Sequence, residues 1–202
     1  MNLANSLVVK CPHCGGKKEL LQLLSGNTFG AEQWSDAKQI APMLPRVSPV
    51  QKCPKCGHYY LMSRLSESDQ SVGDSYSFET GWLSFDEAIE ANKNIESPST
   101  DELSTLAIIT VWAYNDIVRH GEEPTEEQSK VFTSYVSGIL ANQDLFADNK
   151  ILLGELNREI GNFEECISIL SDYEPDNDYV GSIVKYIIEK AKVQDNKVFK
   201  IQ

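Results

Sequence analysis

Two short stretches carry residues whose types and spacing could do chemistry together: Cys11-Pro12-His13-Cys14-Gly15 and Cys53-Pro54-Lys55-Cys56-Gly57. Each is a tight Cys-x-x-Cys turn closed by glycine, and four of the five cysteines lie in them. A zinc ion asks for four deprotonated ligands at the corners of a tetrahedron, and each turn supplies two. The pattern therefore predicts a Zn²⁺ site with Cys11, Cys14, Cys53 and Cys56 as ligands. Iron takes the same four thiolates, so the spacing leaves that metal open. Disulfides would need an oxidising compartment. A thioredoxin-like redox centre uses one such turn at a helix start rather than two of one design. A four-thiolate shell leaves no position for water or substrate, which marks the site as structural rather than catalytic. His13 and His58 lie inside and beside the turns; with four cysteines available, they read as surface residues.

Strands must present these turns. Residues 6–10 read as a strand entering the first, and His58–Met62 as a strand leaving the second. Thirty-eight residues separate Cys14 from Cys53. Within them, Lys18–Leu24 suits a short helix or a strand. Ala41–Pro49 holds three prolines, which forbid helix and favour an extended loop. Residues 63–75 are polar and read as an exposed loop. Tyr76, Phe78 and Thr80 alternate with Ser77 and Glu79, which predicts a third strand over 76–83.

Beyond residue 83 the apolar period lengthens to that of a helix. Ser84-Phe85-Asp86-Glu87 is a capping box opening a helix to about Asn94. A second runs from about Ser99 to His120, stopped by Gly121 and apolar nearly all round. Thr125 caps a third, and further helices are predicted over 149–160, 163–171 and 178–193. The predicted architecture is α+β: a small antiparallel ribbon, residues 1–83, followed by an all-α, repeat-like bundle, residues 84–202. The tail, Lys197–Gln202, carries no prediction.

The formal net charge is −12, divided as +4 over residues 1–62 and −16 over 63–202. The acidic part would repel a phosphate backbone. Nucleic-acid binding is thus confined to the small N-terminal part, where Lys10, Lys17, Lys18, Lys38, Arg46, Lys52 and Lys55 would supply contacts and Trp34 or Tyr59 would stack. The longest apolar run, Leu106–Ala113, interrupted only by Thr110, falls well below the ~18 residues that span a bilayer. The N-terminus has no basic start followed by a long apolar stretch, which argues against a secretory signal and for a reducing cytoplasm.

No catalytic constellation emerges. Gly15-Gly16 and Gly26–Gly30 lack a Walker or dinucleotide pattern, and three scattered histidines define no Ser–His–Asp set. Cys166 reads as a core thiol, since Glu164 and Glu165 oppose a thiolate there. Asp116 and Arg119 read as a surface pair at helical spacing.

The two cysteine turns resemble the CPxCG knuckles of zinc ribbons and rubredoxins, a likeness covering the knuckles and adjoining strands. Leu153-Gly154, Gly161, Phe163, Cys166 and Leu170 resemble one tetratricopeptide repeat. That resemblance implies close helix packing at Gly154, a turn at Gly161, a small residue's place at Cys166 and a large apolar one at Leu170. Lys150 and Asn157 depart from the repeat's aromatic and Tyr, and no second copy follows at its period. In arrangement, a Cys₄ ribbon with an acidic helical tail resembles a class of bacterial proteins without assigned activity. The expectation is a non-enzymatic zinc protein whose helical half meets a protein partner. A nucleic-acid-binding ribbon and a rubredoxin-like iron carrier are the alternatives.

Overall fold

Period-two patterning around the first cysteine turn builds antiparallel ladders. In the computed structural model, which describes residues 1–142 and 144–201, the strands are β1 (Asn2–Leu3), β2 (Leu7–Lys10), β3 (Lys17–Leu20), β4 (Leu23–Ser25), β5 (Glu32–Gln33), β6 (Gln39–Ile40), β7 (Val50–Lys52), β8 (Tyr59–Leu61) and β9 (Gln70–Val72). Among the described residues six α-helices follow: α1 (Phe85–Asn94), α2 (Thr100–Arg119), α3 (Glu126–Ala141), α4 (Lys150–Glu159), α5 (Phe163–Ser171) and α6 (Asp178–Lys192). The fold is α+β, with small antiparallel sheets first and helices after. Among the described residues no helix is long and apolar enough to cross a membrane.

Two compact units divide the chain, one of residues 1–31 and 40–113, the other of 32–39 and 114–202. The change of period at residue 84 marks where helices begin. It does not coincide with this division, because α1 and the first part of α2 belong with the strands.

In the first unit β2 lies between β3 and β9, antiparallel to both, with Leu7 opposite Leu20 and Val72. Alternation turns Val9 and Leu20 inward, where they form a core with Cys11, Cys53 and Tyr60. β7 pairs with β8 on either side of the second knuckle. Ser84 and Glu87 exchange side-chain and backbone hydrogen bonds and fix the start of α1. Helix α1 is tied to the ribbon by the Tyr59 hydroxyl, which donates to Glu90 at 2.8 Å, and by the Lys52–Glu87 ion pair at 3.0 Å.

The third strand is not where alternation placed it. It is β9, inside the polar segment expected to be loop, and it follows two short 3₁₀ turns, Met62–Arg64 and Glu67–Asp69. All three β9 side chains are exposed, so backbone hydrogen bonds to β2, and not a buried face, hold it. Residues 76–83 form no ladder. They attach through single backbone bonds from Leu21 N–H to Glu79 O and from Ser48 N–H to Thr80 O, and through the Ser77 hydroxyl and Trp82 indole, which donate to Glu19 O and Arg46 O, while Tyr76 and Phe78 point to solvent. The Lys18–Leu24 stretch, open between helix and strand, gives β3 and β4.

In the second unit α4 and α5 form an antiparallel hairpin turned at Gly161, whose φ is +86°. Gly154 admits Leu170: a Cβ there would stand 2.6 Å from Leu170 Cγ. Cys166, Leu170, Val184, Ile187 and Ala191 build the core of α5 and α6. The β5–β6 hairpin belongs to this unit through residues 32–39. The tail pairs with it: Ser35 N–H donates to Phe199 O, Ile201 N–H donates to Gln33 O, and Trp34 bridges Lys200.

Candidate metal centre

The two knuckles are built alike. In the first, Gly15 N–H donates to Cys11 O at 2.9 Å and Cys11 N–H to Gly16 O at 2.8 Å. In the second, Gly57 N–H donates to Cys53 O at 2.9 Å and Cys53 N–H to His58 O at 2.8 Å. Gly15 and Gly57 close the turns at φ +67° and +73°, where an L side chain is strained. β2 and β3 carry the first knuckle, and β7 and β8 carry the second.

This doubled geometry brings the four sulfurs together. Cys11 Sγ lies 3.8 Å from Cys56 Sγ, Cys14 Sγ lies 3.6 Å from Cys53 Sγ, and all four fall within 4.8 Å of one another. A tetrahedral metal with ~2.3 Å bonds to sulfur has S···S edges of ~3.8 Å. The set therefore fits a four-coordinate metal ion, and the four predicted ligands are the four assembled. Cys11 and Cys53, first in each knuckle, are buried; Cys14 is half-buried and Cys56 exposed.

The electrostatics of the bare cluster point the same way. Burial pushes the Cys11 thiol up. At Cys53 burial also opposes ionisation, but the N–H groups of Cys56 and Lys55, with the thiols of Cys56 and Cys14, outweigh it and hold the thiol at about 7. At Cys56 the His58 N–H favours thiolate, yet desolvation and the three neighbouring thiols prevail and push it up to about 12. Four sulfurs at this spacing cannot all ionise without a cation, and a bound divalent metal would supply that charge. Gly16 adds a steric condition: a Cβ there would meet Lys55 Cβ at 3.1 Å, Cys14 Sγ at 3.2 Å and Cys53 Sγ at 3.3 Å.

His13 and His58 are not in the cluster. Their rings stack on each other across the knuckles, with centroids 4.9 Å apart. Beside the second knuckle, Lys18, Lys52, Cys53, Pro54, Gly57 and Trp82 help line a cleft of about 430 Å³.

The groups suited to nucleic acid are mostly engaged. Lys10 donates to Ser68 O, Lys18 lies 3.9 Å from Glu79, and Lys52 pairs with Glu87. Lys38 is buried against Asp116 in the second unit. Tyr59 is buried, and the ring of Trp34 lies beneath the Arg119 guanidinium at 5.1 Å. Lys17, Arg46 and Lys55 remain exposed.

Asp116 and Arg119 are not a surface pair. The Arg119 side chain is 2% exposed and bonds both Asp116, at 2.8 Å, and the fully buried Asp36. The spacing of the pair was visible in the sequence; its burial was not, because the partner comes from a hairpin some 80 residues away. Cys166 is fully buried, and burial followed by the charge of Glu155 pushes its thiol up to about 12, as befits a core residue.

Comparisons with family models, with curated proteins and with solved structures found no match to this chain.

Proposed function

We propose that this chain is a non-enzymatic, cytoplasmic zinc protein, with a structural Zn²⁺ held by Cys11, Cys14, Cys53 and Cys56 and a helical half that engages another protein. The convergence of four sulfurs within 4.8 Å carries the reading. A bound zinc would join two knuckles that are separated by thirty-eight residues, and four thiolates would fill its coordination sphere. Its place is to stabilise the first unit, whose buried sheet core is small, by about 10 kcal/mol. The tetratricopeptide-like α4–α5 hairpin, with Leu170 against Gly154, supports an interaction role for the helical half. Rubredoxin-like iron is the competing occupant, since it takes the same ligands.

The test is affinity purification from the native cell with the metal quantified in the same sample. One zinc per chain in a colourless protein, lost in Cys11→Ser and Cys53→Ser, is the expected result, with a protein co-purifying. A coloured, iron-loaded protein would select electron transfer instead. Turnover of a substrate at a site lost on changing a polar residue would overturn the non-enzymatic reading.

A further inference from the structure

The buried polar groups of the second unit gather at Glu159, the last residue of α4. Its side chain is buried, and both carboxyl oxygens accept from Asn115 Nδ2, at 3.0 and 3.1 Å. The same nitrogen donates to Asp36 Oδ2 at 3.0 Å. Asp36 comes from the 32–39 hairpin and is fully buried. Two carboxyl groups from distant parts of the chain thus meet at one amide donor, away from water.

The nearby cations are engaged by other carboxylates. Arg119 serves Asp36 and Asp116, and Lys38 holds Asp116 at 2.6 Å. On α4, Arg158 pairs with Glu155 and also donates to Asp195 O, while Asp195 pairs with Lys190. Five carboxyl groups therefore face four cations, and Glu159 is the one with no ion pair among the described residues. Other groups near it add no cation. From α2 comes the Tyr114 phenol, which bonds Ser129; Cys166 of α5 adjoins Glu155; α3 buries Phe132 and Val136; and Asn196, after α6, contacts the Glu159 backbone. Burial, and then the charges of Glu155 and Asp36, raise the Glu159 carboxyl well above its ordinary range.

We propose that Glu159 keeps its proton in the folded protein at neutral pH, and that this proton holds the 32–39 hairpin in place. Loss of the proton to solvent sets a second, unpaired carboxylate against Asp36, and the hairpin opens. The device responds to alkali. A folded-state affinity for the proton above that of the open state gives stability that is complete below the ordinary carboxylate range. That stability is lost as pH rises toward the folded-state value, and it is flat beyond it.

Hydrogen exchange of the Trp34–Lys38 amides in the full-length protein tests this from about pH 5 to about pH 9, after correction for base-catalysed intrinsic exchange. The protection factor should fall by up to about tenfold per pH unit until the folded-state value is passed. In Glu159→Gln, which keeps a neutral acceptor, that slope should vanish. A pH-independent protection factor in the wild-type protein, or an unchanged slope in the variant, overturns the proposal. Should the variant not fold, carbon-13 carboxyl titration of the wild-type protein decides: a neutral Glu159 at pH 7 supports the proposal and an ionised one refutes it.

Discussion

Asp36→Ala removes the carboxylate against which the Arg119 guanidinium is buried. Arg119 is 2% exposed, so water cannot replace the lost partner. Deleting one member of a buried ion pair costs about 3–5 kcal/mol. Arg119 keeps Asp116, whose side chain is 23% exposed and so partly screened, which places the loss near the lower end, about 3 kcal/mol. For a chain of this size each kcal/mol moves the melting temperature by about 2–4 °C, giving a drop of about 6–12 °C. The assay is thermal and urea unfolding followed by far-ultraviolet circular dichroism, to which α3–α6 contribute. The companion variant Asp36→Leu/Arg119→Met replaces both charges with apolar groups and should recover most of the loss, because apolar replacement of a buried pair is often neutral. A loss below about 1 kcal/mol in Asp36→Ala, or a double variant no better than the summed single changes, would refute the argument from burial.

Further outcomes follow from the same geometry. Gly154→Ala places a methyl 2.6 Å from Leu170 Cγ and should cost about 1–3 kcal/mol, read as a lower urea midpoint; an unchanged midpoint would show that the α4–α5 hairpin can open. Gly15→Ala and Gly57→Ala meet no neighbour within 4 Å, so each should lose only about 1–2 kcal/mol from the positive φ, measured on the metal-loaded protein. Gly16→Val instead crowds the Cys14 and Cys53 sulfurs and should weaken metal retention in a chelator competition more than either; equal retention would deny that contact its importance. Stripping the metal should expose the β2, β3, β7 and β8 amides to exchange, and full protection without metal would mean that the first unit needs none.

Much of this architecture was legible in local sequence. The six helices lie where period and caps put them: Ser84 with Glu87 and Thr125 with Gln128 form the capping boxes their spacing suggests. The knuckles were legible because thiol chemistry constrains residue type and spacing together. The third strand was not. β9 turns no side chain to a core, so its hydrophobic pattern is blank, whereas Tyr76 and Phe78 alternate as a strand would and yet stand in solvent. The ionic cluster was hidden for another reason. Asp36, Lys38 and Glu159 are ordinary surface types, and only tertiary packing buries them. Asp36 lies between the cysteine pairs, so its place in the helical unit could not be read from its neighbours in sequence.

That placement bears on ancestry and on engineering. Residues 32–39 belong to the helical unit, yet they sit inside the span bracketed by the two cysteine turns. No single cut of the chain releases either unit whole. Recombination that exchanged one half for a foreign module at any one junction would carry off part of the other's interior. Exchange of either unit therefore takes more than one junction, and a compact ribbon made by trimming the insert would leave the helical unit without Asp36.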